Sequence, residues 1–200
     1  MAADPPVIGV VLAGGAGTRM GGDKASVALH GRPLVSYPAE AVQRALGHVV
    51  IVTKPESELP DVPGATVWTE PSTPYHPLVG LLYALEMAGD TPIVVCAGDL
   101  PFVTPRLVRH LADSSPQAGA VITRAAGRDQ PLLGRYHPRC TQVLRGLDPH
   151  AGASVQDAVA RLAPVVLDVE DPQLLFNVNT PADLLQATAM IDARRRASRT

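Results

Sequence analysis

The chain alternates short apolar runs with longer segments in which apolar and polar positions recur at helical spacing. The first run, 7–12, contains only apolar residues and one glycine, which is typical of a strand buried on both faces. Similar runs predict further strands at 48–53, 65–68, 92–97, 118–123, 132–137 and 165–169. The intervening segments predict helices at 33–46, 78–87, 104–112, 154–162 and from 180 onward.

Two of these helices have a clear start. Thr104 precedes Pro105, and Thr180 precedes Pro181. A threonine can cap the free backbone N–H groups of a helix, and proline is favoured at the first helical position. Asp183 follows Thr180 at the spacing of a near capping box.

Strands that alternate with helices predict an α/β fold with a mostly parallel sheet and right-handed crossovers. In such sheets, ligands bind beyond the carboxyl ends of the strands. The loop after Leu12 and the segment Gly98-Asp99 both follow a predicted strand. We therefore expect them on one edge of a single domain spanning 1–200, with a solvated, frayed tail at about 190–200.

Composition narrows the class of protein. Of the 200 residues, 46% are hydrophobic and 18% charged, so the chain can bury a core. The net charge of −2 and the aromatic content of 4% argue against a nucleic-acid partner. The two cysteines, Cys96 and Cys140, are far apart and are interpreted as small buried hydrophobes. No signal peptide or stretch of roughly 20 apolar residues is present, so we expect a cytoplasmic protein without a membrane contact.

The loop 12–24 contains five glycines, the cations Arg19 and Lys24, and follows a strand. Glycine lets backbone N–H groups approach phosphate oxygens closely, so this pattern favours a phosphate-binding loop. It is not a P-loop, because Asp23 intervenes before Lys24 and Ala25 replaces the magnesium-binding hydroxyl. The dinucleotide fingerprint fails at Met20.

The pattern L-A-G-G-x-x-x-R-M-G-x-x-K at 12–24 resembles the signature of nucleotidyltransferases with a Rossmann-like, glycosyltransferase-A-type fold. Together with segments 77–80, 98–101 and 177–181, it is similar to the molybdenum cofactor guanylyltransferase family. That family joins GMP from GTP to molybdopterin and releases pyrophosphate. The resemblance covers 7–187 and implies a three-layer α/β/α domain.

The resemblance also implies roles for individual residues. Those expected to bind the nucleotide are Leu12, Ala13, Gly14, Gly15, Gly17, Lys24, Glu70 and Asp99. Arg19, Lys24 and Asp99 are expected to be catalytic, because clustered phosphate charge must be neutralised during transfer. Asp99, with Asn179, is expected to hold Mg²⁺ against the phosphates.

On the acceptor side, the resemblance assigns Asn177, Asn179 and Gln130 to the molybdopterin. Gln130 stands where the family usually has histidine, and His76 stands where it has a glycine before Pro-Leu. Glu70 is the candidate for guanine recognition, because a carboxylate can accept from both guanine N1–H and N2–H.

The expected partners are therefore GTP and molybdopterin, with transient contacts to proteins that deliver or receive the cofactor. Three alternatives remain open at this point. They are a related cytidylyl or small-acid guanylyl transferase, a non-catalytic nucleotide sensor, and a nicotinamide dehydrogenase.

Overall fold

A computed structural model describes residues 7–14, 27–147 and 154–197. Within these ranges, seven strands form one sheet in the order β5-β4-β1-β6-β8-β7-β9, and two short strands form a separate hairpin. The strands are β1 (Ile8–Leu12), β2 (Ala28–Leu29), β3 (Arg32–Pro33), β4 (Val49–Thr53), β5 (Ala65–Thr69), β6 (Ile93–Ala97), β7 (Ala120–Ala125), β8 (Arg128–Tyr136) and β9 (Val165–Asp168). The helices are α1 (Ser36–Leu46), α2 (Pro77–Ala88), α3 (Pro105–Asp113), α4 (Cys140–Arg145), α5 (Val155–Ala160) and α6 (Pro181–Ala197), with a 3-10 turn at Pro172–Leu175.

Strands β5, β4, β1 and β6 run parallel and form the part of the sheet that carries the site. Every residue of β4 and β6 is buried, as expected where helices cover both faces of a parallel sheet. Strand β8 is antiparallel to both β6 and β7, and β9 is parallel to β7. The predicted mostly parallel sheet is confirmed.

Alternate residues of the strands face two different helical layers. Val11 and Ile51 pack with α1 and α3 on one face, whereas Val10 and Val52 pack with α2, α4 and α5 on the other. This alternation is the period-two pattern of a strand. It produces the predicted three-layer α/β/α arrangement.

Helix α6 extends to Ala197, further than the frayed tail predicted from about residue 190. Its face packs against the β2–β3 hairpin and Phe102 through a small apolar cluster that includes Met190 and Ile191. The guanidinium of Arg194 lies 4.6 Å from the centre of the Phe102 ring, a cation–π contact that favours an ordered helix end. None of the helices in the described part of the chain has the length and apolar character of a membrane-crossing segment.

Candidate active site

The carboxyl ends of the four parallel strands meet at one edge of the sheet. Ala13 follows β1 and donates its backbone N–H to the carbonyl of Val52 (2.8 Å). Glu70 follows β5 and donates its backbone N–H to the carbonyl of Thr53 (2.9 Å). Gly98, which follows β6, donates in the same way to the carbonyl of Leu12 (2.9 Å). Residues that are distant in sequence are thereby held side by side.

The first residues of the glycine loop pack tightly against this edge. A Cβ on Gly98 would lie 3.0 Å from the carbonyl oxygen of Leu12. A Cβ on Gly14 would lie 2.3 Å from Oε1 of Glu70, closer than real Cβ atoms approach other atoms. The structure thus gives a steric reason for glycine at position 14. The remaining predicted loop residues, Gly15, Gly17, Arg19 and Lys24, lie outside the described residues.

Glu70 and Lys54 form a buried ion pair beside Gly14. The two residues are only 5% and 2% exposed, and Nζ of Lys54 lies 3.5 Å from Oε1 of Glu70. The same Nζ donates a 2.6 Å hydrogen bond to the carbonyl of Pro71 and lies 5.1 Å from the centre of the Tyr75 ring. Burial raises the pKa of Glu70, and the positive charge of Lys54 opposes that rise.

The other oxygen of Glu70 faces helix α2. A Cβ on Gly80 would lie 3.2 Å from Oε2 of Glu70, so the carboxylate is held between Gly14 and Gly80. Oε2 is buried and accepts no hydrogen bond within the described ranges. A buried acceptor without a partner is costly.

Asp99 lies at the end of a chain of three side chains. The Nε2 of Gln130 donates to Oδ1 of Asn177 (2.8 Å), and Nδ2 of Asn177 donates to Oδ1 of Asp99 (3.2 Å). The antiparallel register of β8 against β6, with Leu133 opposite Cys96, carries Gln130 past the carboxyl end of β6. The structure thus brings together three predicted site residues from separate parts of the chain.

Asn179 is placed differently from Asn177. It is exposed, and its backbone N–H donates to Oδ2 of Asp183 (2.9 Å) at the start of α6. Between the two asparagines, buried Val178 donates its backbone N–H to the carbonyl of Asp99 (2.9 Å). This bond holds the segment 177–179 beside Asp99.

His76 caps helix α2. Its Nδ1 accepts a 3.1 Å hydrogen bond from the backbone N–H of Leu78, and Pro77 occupies the first helical position. A histidine side chain therefore supplies here the acceptor that the free N–H groups of a helix start require. The substitution of the family glycine is structurally accommodated.

The described residues contain no group of three or more His, Cys, Asp or Glu side chains that could hold a metal ion. Mg²⁺ bound to nucleotides typically needs only one or two carboxylates, because phosphates and water supply the other ligands. Asp99 is half-buried at the sheet edge and fits that simpler requirement. The carboxylate of Asp99 is therefore compatible with a nucleotide-bound Mg²⁺.

Lys54 is the site residue that sequence reasoning missed. It falls between the predicted strands 48–53 and 65–68, where a lysine is ordinarily solvated. In the structure it directly follows the buried strand β4, and its side chain turns inward to Glu70. One signal was available. Lys54 directly follows the predicted strand 48–53, and the carboxyl ends of such strands form the edge at which ligands are expected.

Comparisons with known proteins agree with this geometry. A family model described as MobA-like NTP transferase domain matches residues 9–165. A probable molybdenum cofactor guanylyltransferase from Nostoc sp. is 34% identical over 181 residues, covering 88% of this chain and 87% of the relative. A molybdenum cofactor guanylyltransferase from Cereibacter sphaeroides is 32% identical over 189 residues, covering 92% of this chain and 97% of the relative. The crystal structure of molybdopterin-guanine dinucleotide biosynthesis protein A from Archaeoglobus fulgidus matches with a TM-score of 0.77 at 25% identity, covering 94% of this chain and 100% of that chain.

Proposed function

Because the chain belongs to the MobA-like NTP transferases, and among them to the molybdenum cofactor guanylyltransferases, we propose that it transfers GMP from GTP to molybdopterin with the help of Mg²⁺. The family makes the chain a nucleotidyltransferase of molybdenum cofactor biosynthesis. The observation that carries the finer proposal is the placement of Glu70 and Asp99 on one sheet edge, on either side of the segment Ala13-Gly14 that follows β1.

The reaction is an in-line substitution at the α-phosphorus of GTP. A terminal phosphate oxygen of molybdopterin forms the new P–O bond, and the bond to the β-phosphate oxygen breaks. Pyrophosphate leaves with the bonding electron pair. The protein has to hold both partners in line and to neutralise their negative charge.

The phosphate end of GTP is assigned to the loop that starts at Leu12, Ala13 and Gly14. Backbone N–H groups of this loop, with Gly15 and Gly17, are proposed to surround the phosphate oxygens. Arg19 can hold two phosphate oxygens at once, and Lys24 supplies a compact charge near the reacting phosphate. These roles extend the loop chemistry expected from the sequence.

Asp99 is proposed to hold Mg²⁺, which when bound screens the phosphate charge and stabilises the leaving pyrophosphate. Asn177 donates to Oδ1 of Asp99 and so restrains the orientation of this carboxylate. Gln130 in turn fixes the amide of Asn177. Asn179, exposed beside this group, is proposed as a further contact for the metal or the molybdopterin.

The base end of GTP is assigned to Glu70. An ionised carboxylate is an acceptor only, and guanine presents two adjacent donors, N1–H and N2–H. Cytosine has no such pair. The buried Oε2 of Glu70, which accepts no hydrogen bond from the residues that the structure describes, supports guanine as the base.

The proposal is tested by pyrophosphate release. The purified protein is mixed with Mg²⁺, molybdopterin and either GTP or CTP at matched concentration. Fast release with GTP alone, together with a guanine dinucleotide product, is the expected result. Equal or faster turnover with CTP would assign the chain to cytidylyl transfer instead.

A further inference from the structure

Lys54 has no assigned part in the reaction, although it is one of only two lysines in the chain and is almost completely buried. A lysine is rarely buried without a specific partner, because desolvation of its charge is costly. Its Nζ contacts Oε1 of Glu70 and the carbonyl of Pro71. The charge of Lys54 is therefore directed at the proposed base-binding carboxylate and not at the phosphates.

We propose that Lys54 is a positioning residue that keeps the Glu70 carboxylate charged and oriented as a double acceptor, and thereby sets the preference of the protein for guanine. This inference rests on the proposed function, since it takes Glu70 as the base-recognising acid. Lys54 itself does not touch the base in this assignment.

The argument begins with the protonation state of Glu70. Burial favours its neutral form, and nearby Glu56 adds to that tendency, whereas Lys54 opposes it. On the sides formed by β1 and α2, the carboxylate meets Gly14 and Gly80, which carry no charge. Among the described residues, Lys54 is thus the cation that counters the burial of Glu70.

Protonation would change what Glu70 can recognise. A protonated carboxyl group carries one O–H donor, so one of its two oxygens would face a guanine donor with a donor of its own. The geometry would remain, but the match to N1–H and N2–H would be lost. The Lys54 charge is therefore needed for recognition even if the pocket keeps its shape.

Lys54 also fixes the direction of the carboxylate. It binds Oε1 on the side of Gly14, and Oε2 is the oxygen that accepts no hydrogen bond from the described residues. The second contact of Nζ, with the Pro71 carbonyl, anchors the lysine to the segment that directly follows Glu70. Lys54 is thus held in place by Pro71, and through its contact with Oε1 it restricts rotation of the Glu70 carboxylate.

The test compares the binding of GTP and ITP, since inosine keeps N1–H but lacks the 2-amino group of guanine. Binding needs no molybdopterin, so the test is independent of the acceptor. In wild type we expect GTP to bind about tenfold or more tightly, the usual value of one good polar contact to a base. In Lys54→Met, which keeps an unbranched side chain up to Cε and removes the charged Nζ, we expect the two nucleotides to bind almost equally at neutral pH.

The pH dependence separates charge from shape. In Lys54→Met the pKa of Glu70 is raised further, so a rise of pH should ionise Glu70 and restore the GTP preference. In wild type the preference should stay constant over the same range.

Arg135→Met is the matched control: Arg135 is 4% exposed on β8, where it donates to the Ser115 carbonyl (2.7 Å). Its loss should lower stability and leave the preference unchanged.

Each result has one meaning. If Lys54→Met keeps the wild-type preference, or loses it in a manner that pH does not restore, the inference is overturned. If wild type itself does not prefer GTP over ITP, the proposed contact of Glu70 with guanine fails, and the inference fails with it. If wild type prefers GTP but does not transfer GMP to molybdopterin, only the proposed acceptor is wrong.

Discussion

At the scale of single residues, Asp99 provides the sharpest test of the proposed chemistry. Asp99→Asn keeps the size of the side chain and removes the negative charge that is proposed to hold Mg²⁺. Loss of several kcal/mol of charge stabilisation corresponds to a loss of turnover of about a thousandfold. Pyrophosphate release with GTP and molybdopterin measures this loss, and GTP binding should weaken much less.

The control for this substitution is Asp113→Asn, at the exposed end of α3. It changes the net charge by the same amount and should leave turnover unchanged. If Asp99→Asn turned over within a few-fold of wild type at saturating Mg²⁺, Asp99 would be a turn residue only.

Gly14 tests the steric argument at the start of the glycine loop. In Gly14→Ala the new Cβ would meet Oε1 of Glu70, so either the loop or the carboxylate must shift. We expect the KM for GTP to rise about tenfold or more, as one polar contact to the base is lost. Gly146→Ala is the matched control, because its φ is −72° and its Cβ would meet no atom closer than 3.5 Å. An unchanged KM in Gly14→Ala would contradict the proposed packing of loop and acid.

The sequence predicted these site residues unevenly. Asp99 was predictable because an acid stands two residues after a strongly apolar run, next to a glycine. Asn177 and Gln130 came from family motifs, and no local pattern indicates that they bond to each other. Lys54 was missed because the fate of a lysine at a strand end depends on its neighbours in space, here Glu70 and Pro71 from the adjacent strand's end.

At the scale of elements, strong local signals gave correct predictions and weak ones did not. Thr104 caps α3 as predicted, with its Oγ1 accepting from the backbone N–H of Leu107. Strand β8 is longer than the predicted 132–137. Its first three residues, Arg128 to Gln130, are polar and show no apolar alternation, so the sequence did not indicate them as a strand. The β2–β3 hairpin and α4 were not predicted, since two-residue strands and a six-residue helix are too short to show a period.

Helix α6 offers a prediction about stability. Oγ1 of Thr180 accepts from the backbone N–H of Asp183 (3.2 Å), and Oδ2 of Asp183 accepts from that of Thr180 (2.8 Å), which completes the predicted capping pair. Thr180→Ala should lower the free energy of unfolding by about 1 kcal/mol, as measured by urea titration. Thr188→Ala is the matched control: its hydroxyl bonds back to the Leu184 carbonyl within the helix, so its removal should change stability little. Equal losses in both variants would argue against the cap.

At the scale of the whole molecule, the order of the strands is what the sequence could not supply. Alternating strands and helices predict a parallel sheet, but many strand orders share that pattern. The observed order places β1 between β4 and β6 and puts β5 beside β4. This order brings Glu70, Lys54 and Asp99 to the edge where the glycine loop begins, so the site is a property of the assembled sheet.

A site built from the ends of four strands should couple nucleotide binding to global stability. Because unfolding of the sheet destroys the site, GTP with Mg²⁺ binds only the folded chain and stabilises it by mass action. At a GTP concentration of about 100 times Kd, the gain is about 2.7 kcal/mol, which for a chain of this length raises Tm by about 5–10 °C. Thermal unfolding with GTP and with CTP at equal concentration measures this effect. The GTP shift should be the larger one, because CTP lacks the donor pair that faces Glu70 but keeps the triphosphate. Equal shifts would mean that binding energy comes from the phosphates alone, and Glu70 would then have no role in selecting the base.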